Sequence, residues 1–164
     1  MRVMEILIEH VAPDGIVDDL IDRCGFDEND QDMATSGLCG VFALVLYRAL
    51  HARGIQASLK LLCTCDKDGN AYYEPGQQGA LQGLNWRHVL VEVNGALFDV
   101  DGRQRLSDAI QNYCWGHMHR GGVLVDVSVK ELTDILRNMR RSSYDYRYQM
   151  IWRNKFRQAD AMST

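Results

Sequence analysis

Proline and long apolar runs are both scarce in this chain. Only two prolines occur in 164 residues, and the sequence has no low-complexity segment. No run reaches the roughly 18 consecutive apolar residues that a membrane span needs. No signal peptide or internal repeat is visible, so the sequence predicts one globular domain over residues 1–164. We expect that domain to be cytoplasmic and to work without a membrane.

An excess of basic residues is also missing. The chain has 18 Lys and Arg against 22 Asp and Glu, for a net charge of −4. Nucleic acid as a main partner is therefore disfavoured, because phosphate binding needs a basic surface. Disulfides are disfavoured too, since an odd number of cysteines without a secretory signal is typical of reduced thiols. The five cysteines are Cys24, Cys39, Cys63, Cys65 and Cys114.

Hydrophobic periodicity predicts an α+β domain in which antiparallel hairpins are surrounded by helices. The central element is a helix from about Leu38 to Arg53, which is apolar almost all round and is expected to be buried. Gly54 is its expected stop signal. The other predicted elements are a helix or strand at 4–11, a helix at 14–23, a polar loop at 24–37, strands at 56–65 and 123–127, a long loop at 66–85, a hairpin around 94–95, and helices at 106–115, 128–141 and 144–160.

Cys39 stands at the start of the central helix, in the stretch GLCGVFALVLYRALHARGI. The first turn of a helix has unpaired N–H groups and the positive end of the helix dipole, which stabilise a thiolate and can bind an oxyanion. We expect Ser36 to cap this helix, and Gly37 and Gly40 to leave room for a substrate backbone. Cys39 is therefore a candidate nucleophile, although packing remains the ordinary role of a cysteine in an apolar helix.

His88 lies shortly before Asn94-Gly95, a pair of residues that predicts a two-residue hairpin turn between two alternating runs. That register places His88 opposite Asp101 and diagonal to Asp99. A carboxylate at either position would hold the Nδ1–H of the imidazole and fix its tautomer. The two aspartates remain alternatives on register alone, and His88 is the candidate base.

Three pieces in this order, GLCGVFALVLYRALHARGI, WRHVLVEV and NGALFDVDG, resemble the transglutaminase-like branch of the papain-like cysteine enzymes. They span roughly residues 36–102. The resemblance implies a buried central helix packed on an antiparallel sheet with flanking helices. It also implies a catalytic triad of Cys39 as nucleophile, His88 as base and acid, and an aspartate that orients His88, and it favours Asp99 over Asp101.

The implied activity is thiol-dependent chemistry on an amide or acyl group, through a thioester and without a cofactor or metal. Peptide or amide hydrolysis, glutamine deamidation and acyl transfer all remain open, with a protein, peptide or amide as substrate. The chain departs from the family in lacking a clear oxyanion-hole side chain, for which Gln31 and Asn29 are weak candidates. It also lacks the added domains of the large crosslinking members.

Two other interpretations compete with an enzyme. The first is a non-catalytic binding module on the same fold. The second is a small zinc-stabilised domain, although the Cys-x-Cys spacing is unusual for zinc and core packing is the ordinary alternative. The zinc ligands would be Cys63, Cys65, Cys114 and His117. The alternative for His117 and His119 is a position at the border of the active-site cleft. The loop at 66–85 is expected to be either a lid over the substrate or a surface excursion. The sequence does not predict the oligomeric state.

Overall fold

The computed structural model describes residues 12–114, 121–139 and 145–161. Six helices and five strands lie in that part of the chain, with one 3-10 turn at Leu81–Gly83. The predicted segment at 4–11 lies outside the described residues, as do Trp115 and Tyr144. The elements are α1 (Pro13–Cys24), α2 (Glu28–Ser36), α3 (Cys39–Ala52), β1 (Ser58–Thr64), β2 (Trp86–Val93), β3 (Ala96–Asp99), β4 (Gly102–Gln104), α4 (Leu106–Tyr113), β5 (Gly122–Val127), α5 (Val129–Arg137) and α6 (Tyr146–Ala161).

The five strands form one antiparallel sheet in the order β4-β3-β2-β1-β5. The predicted hairpin between β2 and β3 is confirmed, and Val93 pairs with Ala96. Asn94 and Gly95 take positive φ angles of 51° and 82°, as a tight turn between twisted strands requires. The molecule is therefore an α+β protein, the class that the sequence predicts.

Helix α3 lies in the main core and packs against the sheet. Its residues from Cys39 to Leu46 are all buried, which explains why the helix is apolar on every side. Phe42 on this helix meets Trp152 of α6 edge to face, with ring centroids 5.4 Å apart. A smaller cluster that includes Leu62 and Leu90 packs with α4. The central helix is thus held by the sheet and by α6.

Helix α2 shows that one sequence prediction is wrong, because the sequence predicts a loop over 24–37. Asp27 caps the helix, and its carboxylate accepts the N–H of Asp30 while Asp30 accepts the N–H of Asp27. Asp30 is buried, and it also accepts hydrogen bonds from Trp152 Nε1 (3.0 Å) and Lys155 Nζ (2.6 Å). A polar helix fixed in this way leaves no apolar stripe in the sequence.

The later elements agree more closely with the sequence. Ser128 and Glu131 form the predicted capping box at the start of α5. Gly54 has a φ of 73° and donates its N–H to His51, as expected after the central helix. No single helix in the described ranges has the length and composition to cross a membrane; α2 and α3 reach both only as a pair bent by 109°.

Candidate active site

Cys39 is the first residue of α3 and is 6% exposed. The residue before it, Leu38, has no side chain that can cap the helix, so the first-turn N–H groups carry no side-chain cap. The prediction that Ser36 caps this helix is wrong, because the Ser36 hydroxyl donates to the carbonyl oxygen of Asp32 inside α2. The thiol therefore lies in the first helical turn, beside backbone N–H groups that the N-cap residue does not cap.

The two glycines around Cys39 differ in their surroundings. A Cβ on Gly40 would lie 2.7 Å from the Leu136 side chain, so this glycine allows α5 to pack closely on α3. The expectation that Gly40 leaves room for a substrate is therefore wrong. A Cβ on Gly37 would meet nothing within 4 Å, so open space adjoins this position. Only Gly37 fits the expected role.

His88 on β2 lies beside Asp99, the last residue of β3. The His88 Nε2–H donates to Asp99 Oδ2 over 2.9 Å, and both side chains are buried. The other Asp99 oxygen, Oδ1, accepts the backbone N–H of Asp101 over 2.9 Å. Both carboxylate oxygens are thus held, and Asp99 fixes the orientation of the imidazole.

Asp101 does not lie opposite His88, and the register prediction is wrong at that point. Strand β3 ends at Asp99, which pairs with Gly102 of β4, so the chain turns at Val100 and Asp101 before it reaches His88. Asp101 is exposed. Of the two aspartates that the sequence leaves open, the structure brings Asp99 to the imidazole.

The ring nitrogen of His88 that binds the carboxylate is not the one that the sequence predicts, which is Nδ1. Nε2 binds the carboxylate, and Nδ1 is buried with no hydrogen-bond partner among the described residues. Burial lowers the pKa of the imidazole, but the hydrogen bond to Asp99 and the interaction with Cys39 outweigh it and raise the pKa to about 9. Nδ1 is therefore the nitrogen left to exchange a proton with Cys39.

An irregularity in the β1–β2 pairing lies next to His88. Leu62 pairs with His88, but Cys63 pairs with Trp86, so Arg87 is an extra residue on β2. Such bulges increase the local twist and turn neighbouring side chains toward a new direction. The bulge directly precedes His88, whose side chain lies between the neighbouring strand β3 and a helix.

Tyr113 is a site residue that the sequence does not indicate. Its ring stacks on the His88 imidazole with centroids 3.7 Å apart and planes 7° apart. Burial, together with the negative charges of Asp99 and Asp101, raises the pKa of the Tyr113 hydroxyl. The contact depends on how the last turn of α4 packs on the sheet, and no motif in the sequence links positions 113 and 88.

The candidate oxyanion side chains lie on α2. Asn29 donates from Nδ2 to the Tyr148 hydroxyl over 3.2 Å, which directs it to α6. Gln31 is exposed. The first-turn N–H groups of α3 are therefore the better candidate for an oxyanion site.

Burial affects the other four thiols of the chain. Burial raises the pKa of Cys24 to about 11 and of Cys63 to about 12, and it also raises the pKa values of Cys65 and Cys114. All five cysteines are free. Within the described part of the chain, no three metal-binding side chains form a cluster, and His117 and His119 lie outside it.

The loop at 66–85 is partly tied to the sheet. Cys65 bridges to Ala71, Tyr73 bridges to Leu84, and the 3-10 turn lies near its end. Residues 74–80, between the two partners of the second bridge, are exposed. The structure thus combines a fixed base with a surface excursion, and the lid expected as one alternative stays a prediction.

Comparisons of the chain with protein-family models, with curated proteins and with solved structures found no match. Function must therefore be inferred from the chemistry that Cys39, His88 and Asp99 make possible together.

Proposed function

We propose that this chain is a cysteine enzyme of the papain-like superfamily, transglutaminase-like branch, which acts on an amide or acyl carbonyl. The observation that carries the proposal is the buried hydrogen bond of 2.9 Å between His88 Nε2 and Asp99 Oδ2. It fixes the imidazole and leaves Nδ1 as the nitrogen that can serve Cys39. A nucleophile, a base and a group that orients the base are the parts that covalent catalysis needs.

The reaction begins with transfer of the Cys39 proton to His88 Nδ1. The thiolate attacks the carbonyl carbon, a C–S bond forms, and the oxyanion binds the N–H groups at the start of α3. His88 then gives its proton to the departing nitrogen as the C–N bond breaks, which leaves a thioester on Cys39. Asp99 holds the imidazolium in place throughout.

The thioester is resolved by a second nucleophile. When water attacks, His88 accepts its proton, and the products are a carboxylic acid and the free thiol. When an amine attacks instead, the product is a new amide. Hydrolysis of a peptide or amide, deamidation of glutamine and acyl transfer are therefore the reaction classes of this proposal, with a protein, peptide or amide as substrate.

The burial of the site favours a second candidate, a non-catalytic binding module on the same fold. Cys39 is 6% exposed and His88 is fully buried. A substrate needs a path to the Cys39 thiol and the His88 imidazole, whereas a binding module does not. The two candidates differ in whether Cys39 reacts with a small electrophile.

The test is the rate of iodoacetamide labelling between pH 5.5 and 9, followed for each cysteine by mass spectrometry. We expect Cys39 to label fastest below pH 8.5, because His88 stabilises its thiolate, while the raised pKa values of the other four thiols keep them protonated. His88→Ala should remove the fast labelling at low pH.

His51→Ala is the matched control, because His51 also lies on the described chain but is exposed near the end of α3. It should leave the labelling of Cys39 unchanged. Cys24 serves as an internal standard, since it is the least buried of the other thiols. If Cys39 labels no faster than Cys24 at pH 7, the catalytic proposal fails and the binding module is preferred.

A further inference from the structure

A cavity of about 470 Å³ lies between α3 and α6. Its walls come from one face of each helix, since the lining positions on α3 recur every three or four residues, at Val45, Ala49 and Ala52. The volume is within the range of roughly 300–1,000 Å³ that is usual for sites that bind small molecules. No residue of the candidate catalytic site lines it.

The inner wall of this cavity is apolar and its rim is rich in arginine. Phe156 and Val45 are buried in the core and form part of the wall. Tyr146 and Met150 also line the cavity, yet they are 64% and 56% exposed. Large apolar side chains left this open at the edge of a cavity mark a surface that a ligand can cover.

The arginines give the cavity a charge opposite to that of the whole chain, which is −4. Arg48, Arg153 and Arg157 line it, are exposed, and have no ion-pair partner among the described residues. Arg53 is different, because its Nε donates to Asp160 Oδ1 over 2.9 Å. Asp160 is the only acidic residue in the described lining, and its charge is neutralised by this pair with Arg53.

We infer that this cavity binds a small organic anion with an apolar body, such as an alkyl or aryl phosphate or carboxylate. The chain or ring of the ligand fills the space against Val45, Ala49 and Phe156. The anionic group meets the guanidinium groups of Arg48, Arg153 and Arg157, whose planar N–H donors match the oxygens of a phosphate or a carboxylate. This site is separate from the proposed chemistry at Cys39.

The experiment is isothermal titration calorimetry of the full chain with decyl phosphate below its micellar concentration. We expect saturable binding to one site, and we expect decyltrimethylammonium, with the same chain and the opposite charge, to bind at least about tenfold more weakly. Binding of decyl phosphate should also weaken as salt is raised.

Two variants and a control locate the site. Arg48→Gln with Arg153→Gln should weaken decyl phosphate by about tenfold or more, because two charged donors are lost. Ala49→Phe should block binding by filling the cavity. Arg147→Gln is the matched control, since it removes one charge from α6 at a position that pairs with Asp145 and does not line the cavity.

Thermal melts show that each variant is folded before its binding is interpreted. The inference is overturned if decyl phosphate shows no saturable binding, if the cationic ligand binds equally well, or if the double arginine variant binds like the Arg147→Gln control. Cys39→Ser should bind decyl phosphate as the unchanged chain does, so a failure here is distinguishable from a failure of the proposed function.

Discussion

The charge on His88 should link the stability of the fold to pH. Burial lowers the pKa of this imidazole, but the hydrogen bond to Asp99 and the interaction with Cys39 raise it from the ordinary 6.5 to about 9. The folded chain therefore holds the proton more tightly than the unfolded chain does. The resulting stabilisation is complete below pH 6.5 and is lost as the pH rises through about 9.

The size of the effect follows from the two pKa values. A pKa of about 9 in place of 6.5 corresponds to about 3 kcal/mol of unfolding free energy at low pH. Most of this stabilisation is lost between pH 6.5 and about pH 9, where His88 is protonated in the folded chain but not in the unfolded chain. Between pH 6 and pH 8.5 the unfolding free energy should fall by about 2 kcal/mol from this group alone.

The assay is urea unfolding at pH 6 and pH 8.5 for the unchanged chain, His88→Gln and Asp99→Asn. We expect the fall of about 2 kcal/mol in the unchanged chain and in His51→Gln, a control that removes an exposed histidine. The fall in unfolding free energy should be close to absent in His88→Gln. In Asp99→Asn it should be smaller than in the unchanged chain. NMR titration of the His88 ring gives the pKa directly.

Two results would refute this reasoning. One is a fall in stability that is the same in the unchanged chain and in His88→Gln, which would assign the pH dependence to other groups. The other is a His88 pKa at or below 6.5 by NMR, which would mean that burial outweighs the carboxylate. Either result would also weaken the assignment of His88 as a charged partner of the Cys39 thiolate.

Three further predictions concern packing around the site and the hairpin. Tyr113→Leu should lower the pKa of His88 by about half a unit in an NMR titration, because an aromatic face stabilises the charged ring, whereas Tyr113→Phe should leave it nearly unchanged. Gly40→Ala should destabilise the protein to urea by about 1–3 kcal/mol, because the new methyl group would press on Leu136, and Leu136→Ala in the same chain should relieve that clash. Gly95→Ala should cost about 1 kcal/mol in the same assay through its positive φ alone, since open space surrounds a Cβ there; an unchanged urea midpoint would contradict the turn geometry.

The parts of the fold that depend on local pattern could be predicted from the sequence. The all-round apolar character of α3 indicates burial, and Asn94-Gly95 sets the register near the turn. The predicted register holds from Val93 to Val91. It fails farther out because β3 ends at Asp99, and the length of a short strand is not written in its alternation.

The parts that depend on distant contacts could not be predicted in the same way. Helix α2 has almost no apolar stripe, and its buried anchor, Asp30, is stabilised by Trp152 and Lys155 far along the chain. Tyr113 reaches His88 only because α4 packs on the sheet. The choice of Nε2 over Nδ1 for Asp99 depends on side-chain rotation, which register alone does not fix.

The hydrogen bond from Trp152 to Asp30 has a consequence for how the protein is made. The two residues are 122 positions apart, so a ribosome adding about 5–20 residues per second needs roughly 6 to 24 seconds to pass from one to the other. During that interval α2 and the Cys39 segment are already synthesised, but the carboxylate of Asp30 has neither of its α6 donors. The nascent chain therefore carries the Cys39 thiol for several seconds before the helix that completes this side of the core exists.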